Sequence, residues 1–187
     1  MKYSPTPQNK KNDVASVVLF LTAVMLFFFG SQYYVKYRAA AQALGVVCLA
    51  ASVFFLLKRM TVFVYTVYPK DRDTKKSVSE LTPEELTFII SRRFGTGAEA
   101  NKAALDLEAL TTVTDLPASV REKKKIIKEF GKTSLYYYTV TFMPLHSTLL
   151  IFEKKGSDRI GIVIEPDGDF KGFFEKVARL NKDKTKE

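Results

Sequence analysis

Residues 14–30 read VASVVLFLTAVMLFFFG, and residues 39–57 read AAAQALGVVCLAASVFFLL. Neither stretch contains a charged residue. With the next four residues the first stretch forms a helix about 31 Å long, which matches a hydrocarbon core of about 30 Å. Because lipid cannot satisfy free backbone N–H and C=O groups, both stretches are predicted to be transmembrane helices.

A secretory signal peptide is the alternative interpretation of the first stretch. Its basic region would be Lys2, Lys10 and Lys11. However, three phenylalanines at 27–29 fill the end of the apolar run, where a cleavage site requires small residues. A second apolar stretch also follows at once, so we expect the first to be a retained span.

The connection from Ser31 to Arg38 is too short to recross a bilayer, so the two helices are predicted to form an antiparallel hairpin. It contains two cations, whereas further lysines and arginines lie before the first span and after the second. The positive-inside rule therefore places both termini in the cytoplasm. These features predict a multi-pass protein of the plasma membrane.

The second apolar stretch carries a stripe of small residues, spaced four, three and four apart, which permits close helix approach: Ala41, Gly45, Cys48 and Ser52. The stripe either packs on the first helix or forms a homo-oligomer interface. Cys48 is the single cysteine. It can form no intramolecular disulfide, which fits a reducing compartment for the rest of the chain.

The part of the chain after the hairpin has the pattern of a mainly β domain. β-branched and aromatic alternation, bounded by turn residues, predicts strands at 61–68, 86–94, about 105–115, 134–142, 148–152 and 160–164. Residues 98–110 also contain many helix formers, so their assignment to a turn and a short strand competes with a helix.

The chain is predicted to close with an amphipathic helix. Asp167 is the expected N-cap, and apolar residues then recur three and four apart: Phe170, Phe173, Phe174, Val177 and Leu180. The predicted organisation is an N-terminal tail at 1–13, a membrane hairpin at 14–57, a soluble domain at 60–182 and a charged tail at 183–187. The soluble domain is expected to be an α+β, mainly antiparallel barrel or sandwich capped by this helix.

Two phrases carry a resemblance to a known family. LDLEALTTV at 105–113 precedes a variable insertion, and IVIEPDGDF at 162–170 leads into the aromatic terminal helix. Together with the paired late strands, they resemble bacterial pleckstrin-homology-like domains, in particular those of small membrane proteins with two N-terminal spans. The resemblance implies a non-enzymatic module at the cytoplasmic face. It assigns no binding residues, because the Lys-x-Arg pattern of phosphoinositide-binding relatives is not recognisable on the first hairpin.

The net charge of +9 beside two membrane spans points to orientation and anionic headgroups rather than to nucleic acid. No nucleic-acid-binding motif is present, so no nucleic-acid partner is expected. The densest basic cluster consists of Arg121, Lys123, Lys124, Lys125 and Lys128. It is either a solvated loop or a contact to anionic lipid, worth up to about 1 kcal/mol per residue.

The sequence offers no catalytic or metal-binding signature. His146 is the single histidine and lies in a predicted turn, without a supported Ser-His-Asp set. Gly95-Thr96-Gly97 lacks the spacing and lysine of a phosphate loop. A calcium loop counted from Asp167 would need a glutamate where Ala178 stands, so helix capping explains this segment better. No cofactor is expected.

These observations lead to three hypotheses. The first is a membrane-anchored interaction or sensing module that binds a protein or peptide at the cytoplasmic face. The second is an anionic-lipid-binding or envelope-stress-related membrane protein. The third is an enzyme whose site is hidden in its loops.

Overall fold

The computed structural model describes residues 1–5, 11–30, 32, 37–71, 76–141, 144–153 and 159–184. The chain divides into two compact units. Residues 7–61 form one, which we call the helix pair, and residues 1–6 with 62–187 form the other, which we call the sheet domain. The sheet domain therefore contains residues from both sides of the helix pair in the sequence.

The helix pair consists of two apolar helices. Helix α1 spans Lys11–Met25 and continues as a π-helical turn over Leu26–Gly30, and helix α2 spans Arg38–Met60. The 20-residue segment Arg38–Leu57 is long and apolar enough to cross a membrane. The apolar segment Val14–Gly30 is helical but shorter. Among the described residues one helix thus has full spanning length. Most of the predicted connection at 31–38 lies outside them.

Sheet A contains strands in the order β1–β2–β3–β4, namely Lys2–Tyr3, Thr61–Pro69, Leu86–Phe94 and Ala100–Asp106. The predictions of β2 and β3 are confirmed, and β2 ends at a proline, which cannot donate to a neighbouring strand. Strand β1 was not predicted. Lys2 pairs with Thr66 and Tyr3 with Tyr65, so part of the expected tail at 1–13 is a strand. Two residues are too few to show strand alternation.

The chain passes from sheet A to sheet B through a short turn. The prediction of one strand at about 105–115 began too late and missed this turn. Instead β4 ends at Asp106, a 3-10 turn covers Leu107–Ala109, and strand β5 spans Leu110–Leu116. Leu107 and Leu110 are both fully buried, because the turn directs both side chains inward and interrupts the period of two.

Sheet B has the order β5–β7–β8–β6, with β6 at Thr133–Tyr137, β7 at Ser147–Glu153 and β8 at Arg159–Ile164. The antiparallel β7–β8 pair was predicted, although its turn at 154–158 lies outside the described residues. Strand β6 is parallel to β8 and ends before Tyr138, not at 142 as predicted. The segment after Tyr137 leaves the strand because buried side chains bind its backbone.

Two helices complete the sheet domain. Helix α3, Val120–Glu129, connects β5 to β6, and helix α4, Gly168–Lys184, follows β8. The expected N-cap of α4 is confirmed, since the Phe170 amide donates to Asp167 Oδ1 at 2.8 Å. Phe170, Phe174 and Val177 are buried, but Leu180, which periodicity placed on the same face, is exposed.

One core serves both sheets. Strands β2, β3, β7 and β8 and helix α4 all contribute to a single cluster of buried residues, in which the Phe88 and Phe174 rings meet edge to face at 4.9 Å. No hydrogen-bonded strand pair joins sheet A to sheet B in the described part of the chain. A closed antiparallel barrel, one of the two predicted alternatives, is therefore not formed. The architecture is a helix pair, two small sheets and a C-terminal helix packed on sheet B.

Candidate functional site

The predicted basic cluster lies on helix α3 and not in a loop. The helix begins after Ser119, whose carbonyl oxygen accepts the Lys123 amide at 3.0 Å. Glu122 in the first turn and Lys128 in the last turn both stabilise the helix, because each charge lies at the end of the helix dipole that has the opposite sign. Lysine, arginine and glutamate are good helix formers, so this segment becomes helical once its apolar side chains have a surface to cover.

The inner face of α3 is anchored to sheet B. Ile126, Ile127 and Phe130 pack against a second cluster of buried residues, formed by Leu116, Leu149, Ile151 and Val163. These strand residues alternate with those of the main core, so α3 covers the opposite face of sheet B. The helix is thus held in a fixed orientation.

Lys123 belongs to this inner face and not to the exposed cations. Its side chain is half-buried, and its Nζ donates to the Pro144 carbonyl oxygen at 3.4 Å. Burial lowers the pKa of Lys123, and the charge of Glu165 partly opposes this effect. The structure therefore separates Lys123 from the other members of the predicted cluster.

The outer face of α3 carries the other four cations. Arg121, Lys124, Lys125 and Lys128 are exposed and occupy positions i, i+3, i+4 and i+7, which lie on one side of a helix. None of these four side chains forms an ion pair or hydrogen bond within the part of the chain that the structure describes. We call these four residues the basic face.

Apolar side chains border the basic face. A shallow cavity of about 240 Å³ is lined by Lys123 and Lys124 together with Val120, Tyr137 and Pro144. Val120 is 56% exposed and Tyr137 is 57% exposed. Cations, an aliphatic side chain and a tyrosine therefore meet on one accessible surface. The sequence indicated the cations but not the strand residue beside them.

A buried polar network, which the sequence did not reveal, connects the two sheets. Tyr65 on β2 donates its hydroxyl to the Tyr138 carbonyl oxygen at 2.6 Å and accepts the Glu165 amide at 3.2 Å. Glu165 Oε2 accepts the amides of Val140 at 2.6 Å and Thr141 at 3.2 Å. Burial is the main reason why the pKa of Tyr65 is raised. The network fixes the backbone after β6 and thereby the position of Tyr137.

The predicted helix-packing stripe of α2 lies against α1. A Cβ atom at Gly45 would come within 3.0 Å of the Phe27 ring, and one at Gly30 would come within 3.1 Å of Ala41. Ser52 is buried and donates to the Ser16 carbonyl oxygen at 2.9 Å. Cys48, the remaining member, is half-buried. The stripe is thus used within the helix pair.

The residues that the sequence offered for catalysis, phosphate binding or metal binding lie among structural contacts. His146 lines a cleft of about 790 Å³ with Asp115, Asp167 and Lys171. Asp115 binds Lys171 and raises the pKa of that ammonium, while Asp167 caps α4. Gly95 has a positive φ of 56° in the turn between β3 and β4, which explains this glycine without a phosphate. No group of three metal-ligating side chains occurs among the described residues.

No protein-family model, curated protein or solved structure matches this chain.

Proposed function

We propose that this protein is a membrane-anchored, non-enzymatic interaction and sensing module. In this proposal both apolar helices cross the membrane as a hairpin, and the sheet domain lies at the cytoplasmic face of the plasma membrane. The domain is pleckstrin-homology-like and binds a protein or peptide partner.

The pairing of β1 with β2 is the observation that supports the proposal of two membrane spans. The register joins Lys2 to Thr66 and Tyr3 to Tyr65, and the Val67 amide donates to the Met1 carbonyl oxygen at 2.8 Å. The whole helix pair lies between these two strands in the sequence. A single crossing would put β1 and β2 on opposite sides of the membrane, where they could not pair. If α2 spans the membrane, α1 must therefore span it as well.

The surfaces of the helices agree with a lipid environment. Large apolar side chains on both helices point outward, and Phe28 in the π-helical turn after α1 is 67% exposed. In water such a surface would be unfavourable, at roughly 25 cal/mol per Å² of apolar area. The shorter apolar length of α1 is compatible with spanning, because local thinning of a bilayer compensates a few ångströms of mismatch at modest cost.

The pleckstrin-homology-like assignment rests on the order of elements. Two small sheets share one core, and an aromatic helix at the end of the chain packs on the second sheet. For a peptide partner, β4 offers an edge of sheet A. Its outer neighbour position is vacant in the described sheet, and Lys102 and Ala104 are exposed. An extended peptide could add to this edge through main-chain hydrogen bonds.

Cysteine labelling tests the topology. In a Cys48→Ala background, single cysteines replace Asn9 before α1, Tyr37 before α2 and Lys102 in the sheet domain. With a membrane-impermeant maleimide on intact cells, we expect labelling at position 37 alone, and labelling at 9 and 102 only after permeabilisation. Opposite accessibility of positions 9 and 102 would show a single crossing and refute the hairpin.

Photo-crosslinking tests the partner. A photoreactive amino acid at Lys102 on the β4 edge is expected to form a discrete adduct with a protein in cells. The matched position is Lys182, which is also exposed but lies on α4. Adducts at both positions, or at neither, would argue against a partner at this edge.

A further inference from the structure

We propose that the basic face of α3 docks on the anionic headgroups of the bilayer that holds the helix pair. This inference rests on the proposed membrane anchoring. It extends that proposal by giving the sheet domain a second, lipid-dependent contact with the membrane.

The geometry of α3 presents a compact array of positive charge. The four cations follow helical spacing, and in the described residues no carboxylate neutralises any of them. The two acids of the helix, Glu122 and Glu129, occupy other positions around it. Because Ile126, Ile127 and Phe130 pack the opposite side of the helix on sheet B, the backbone that carries the four cations is held in place. Such a helix binds a charged surface without first ordering a flexible loop.

The neighbours of the basic face favour lipid over water as its surroundings. Val120 and Tyr137 are more than half exposed and share a shallow cavity with Lys124. A tyrosine is most stable at headgroup level, where its ring contacts lipid and its hydroxyl stays hydrated. Basic residues beside exposed apolar and aromatic side chains are typical of surfaces that lie in a membrane interface.

Chain connectivity strengthens a contact that would be weak in an isolated domain. Helix α2 ends at Met60 and β2 begins at Thr61, with no linker between them. Tethering makes docking intramolecular and so raises the effective concentration of headgroups. Each cation near an anionic surface contributes about fivefold to the ratio of docked to undocked molecules.

Lys123 is excluded from the docking face. Its side chain is half-buried, and its ammonium group donates to the Pro144 carbonyl oxygen. We assign it to positioning the segment that borders the cavity.

The protein contains no tryptophan, so a single introduced tryptophan reports on one site. Tyr137→Trp places it beside the basic face, and Tyr68→Trp places it on β2, at another exposed position. The full chain is reconstituted in nanodiscs of phosphatidylcholine or of phosphatidylcholine with phosphatidylglycerol, each with brominated acyl chains as quencher. We expect quenching and a blue shift for Tyr137→Trp in anionic nanodiscs only, and no lipid dependence for Tyr68→Trp.

Two charge variants in the Tyr137→Trp chain locate the effect. One replaces Arg121, Lys124, Lys125 and Lys128 by Gln, and the matched control replaces four other exposed cations by Gln: Lys102, Lys176, Arg179 and Lys182. Both change the net charge equally. The first should lower the docked-to-undocked ratio by more than about a hundredfold, while the control should retain docking. In the Tyr137→Trp chain with an intact basic face, salt at about 1 M should abolish the quenching. At this concentration the screening length is about 3 Å.

Three results would overturn the proposal: equal quenching in neutral nanodiscs, equal loss in both charge variants, or a spectral change caused by inorganic phosphate in neutral nanodiscs. The last would assign the site to a soluble anion. Nanodiscs expose both membrane faces, so the result is independent of topology. Failure of the chain to enter nanodiscs would instead refute the proposed anchoring.

Discussion

Gly161 lies in the centre of sheet B, where its neighbours leave no space for a side chain. A Cβ atom there would come within 2.6 Å of Leu135 Cδ2 and 3.3 Å of Leu149 Cδ1. We expect Gly161→Ala to lower the free energy of unfolding of the sheet domain by about 1–3 kcal/mol, because the Leu135 side chain must leave its packed position. Chemical denaturation of the full chain in detergent, followed by circular dichroism, measures this change.

Gly172 provides the matched control. It lies inside helix α4, and a Cβ atom would have no neighbour within 4 Å. Gly172→Ala should therefore raise the free energy of unfolding by about 0.5–1 kcal/mol, as expected for alanine in an exposed helix position. If both substitutions had the same sign, the crowding around Gly161 would not be the cause.

Tyr65 forms the hydrogen bonds that link strand β2 of sheet A to the segments after β6 and β8 of sheet B. Tyr65→Phe keeps the ring but removes the hydroxyl, which leaves the partly buried Tyr138 carbonyl and the buried Glu165 amide without this partner. We expect a loss of about 1–3 kcal/mol in the free energy of unfolding. Tyr68→Phe, on the same strand but exposed, should have almost no effect. Equal effects of the two substitutions would contradict a role for the hydroxyl.

The same pair of variants tests a dependence on pH. Burial raises the pKa of Tyr65 in the folded state, whereas the unfolded chain has the usual value of about 10. The folded state then holds its proton more tightly, so stability is complete below pH of about 10 and declines above it. Burial also raises the pKa values of Tyr3 and Tyr138. Tyr65→Phe should weaken, but not abolish, the alkaline loss of stability, which denaturation curves at rising pH would show.

At the scale of elements, the sequence predicted those helices and strands whose own residues show a regular apolar period. Alternation or helical periodicity predicted strands β2, β3, β7 and β8 and helix α4. All of these except β8, which has six residues, contain seven or more. Helix α3 was missed because its charges conceal two apolar residues, Ile126 and Ile127, and the surface that they cover lies on distant strands. The parallel pairing of β6 with β8 also has no local signature.

The candidate site could likewise be predicted only in part from the sequence. Composition alone indicated the basic cluster, because five cations within eight residues are visible without a structure. The orientation of the helix had to be known before Lys123 could be distinguished from the four residues of the basic face. Tyr65 and Glu165 are 100 residues apart. Neither stands in a motif that indicates a hydrogen bond, so their network could not be predicted.

The helix pair depends on one position where α2 has no side chain. A Cβ atom at Gly45 would come within 3.0 Å of the Phe27 ring. We expect Gly45→Ile to push the helices apart and to increase amide hydrogen exchange in both, since close packing is the main source of helix association in lipid. Ala43→Ile is the control, because Ala43 is exposed to the surroundings of the pair.

Hydrogen exchange of the full chain in nanodiscs, followed by mass spectrometry, distinguishes the two substitutions. Faster exchange in Gly45→Ile but not in Ala43→Ile supports the contact. If Gly45→Ile exchanges like the unsubstituted chain, α2 does not use this face to pack on α1, and the homo-oligomer interpretation of the stripe regains support.

At the scale of the whole molecule, the helix pair interrupts the sheet domain. Strand β1 precedes both helices and β2 follows them, so sheet A is complete only after the whole helix pair has been made. The Tyr3 ring lies 5.7 Å from Phe170 and 6.2 Å from Tyr65, centroid to centroid. A residue near the start of the chain therefore contacts both a central strand and the terminal helix. Contacts of such long sequence separation form late in folding.

This arrangement predicts that a chain of residues 61–187 alone lacks part of its core. Joining residues 1–5 to Thr61 through a short Gly/Ser linker should restore β1 as the first strand of a hairpin, because β1 and β2 are antiparallel. We expect the joined chain to be more stable than 61–187 by about 1–2 kcal/mol, from burial of the Tyr3 ring. Tyr3→Ala in the joined chain should remove most of this gain. Chemical denaturation compares the three chains. If the joined chain gains nothing, β1 does not bind β2, and the proposal of two membrane spans loses the pairing that supports it.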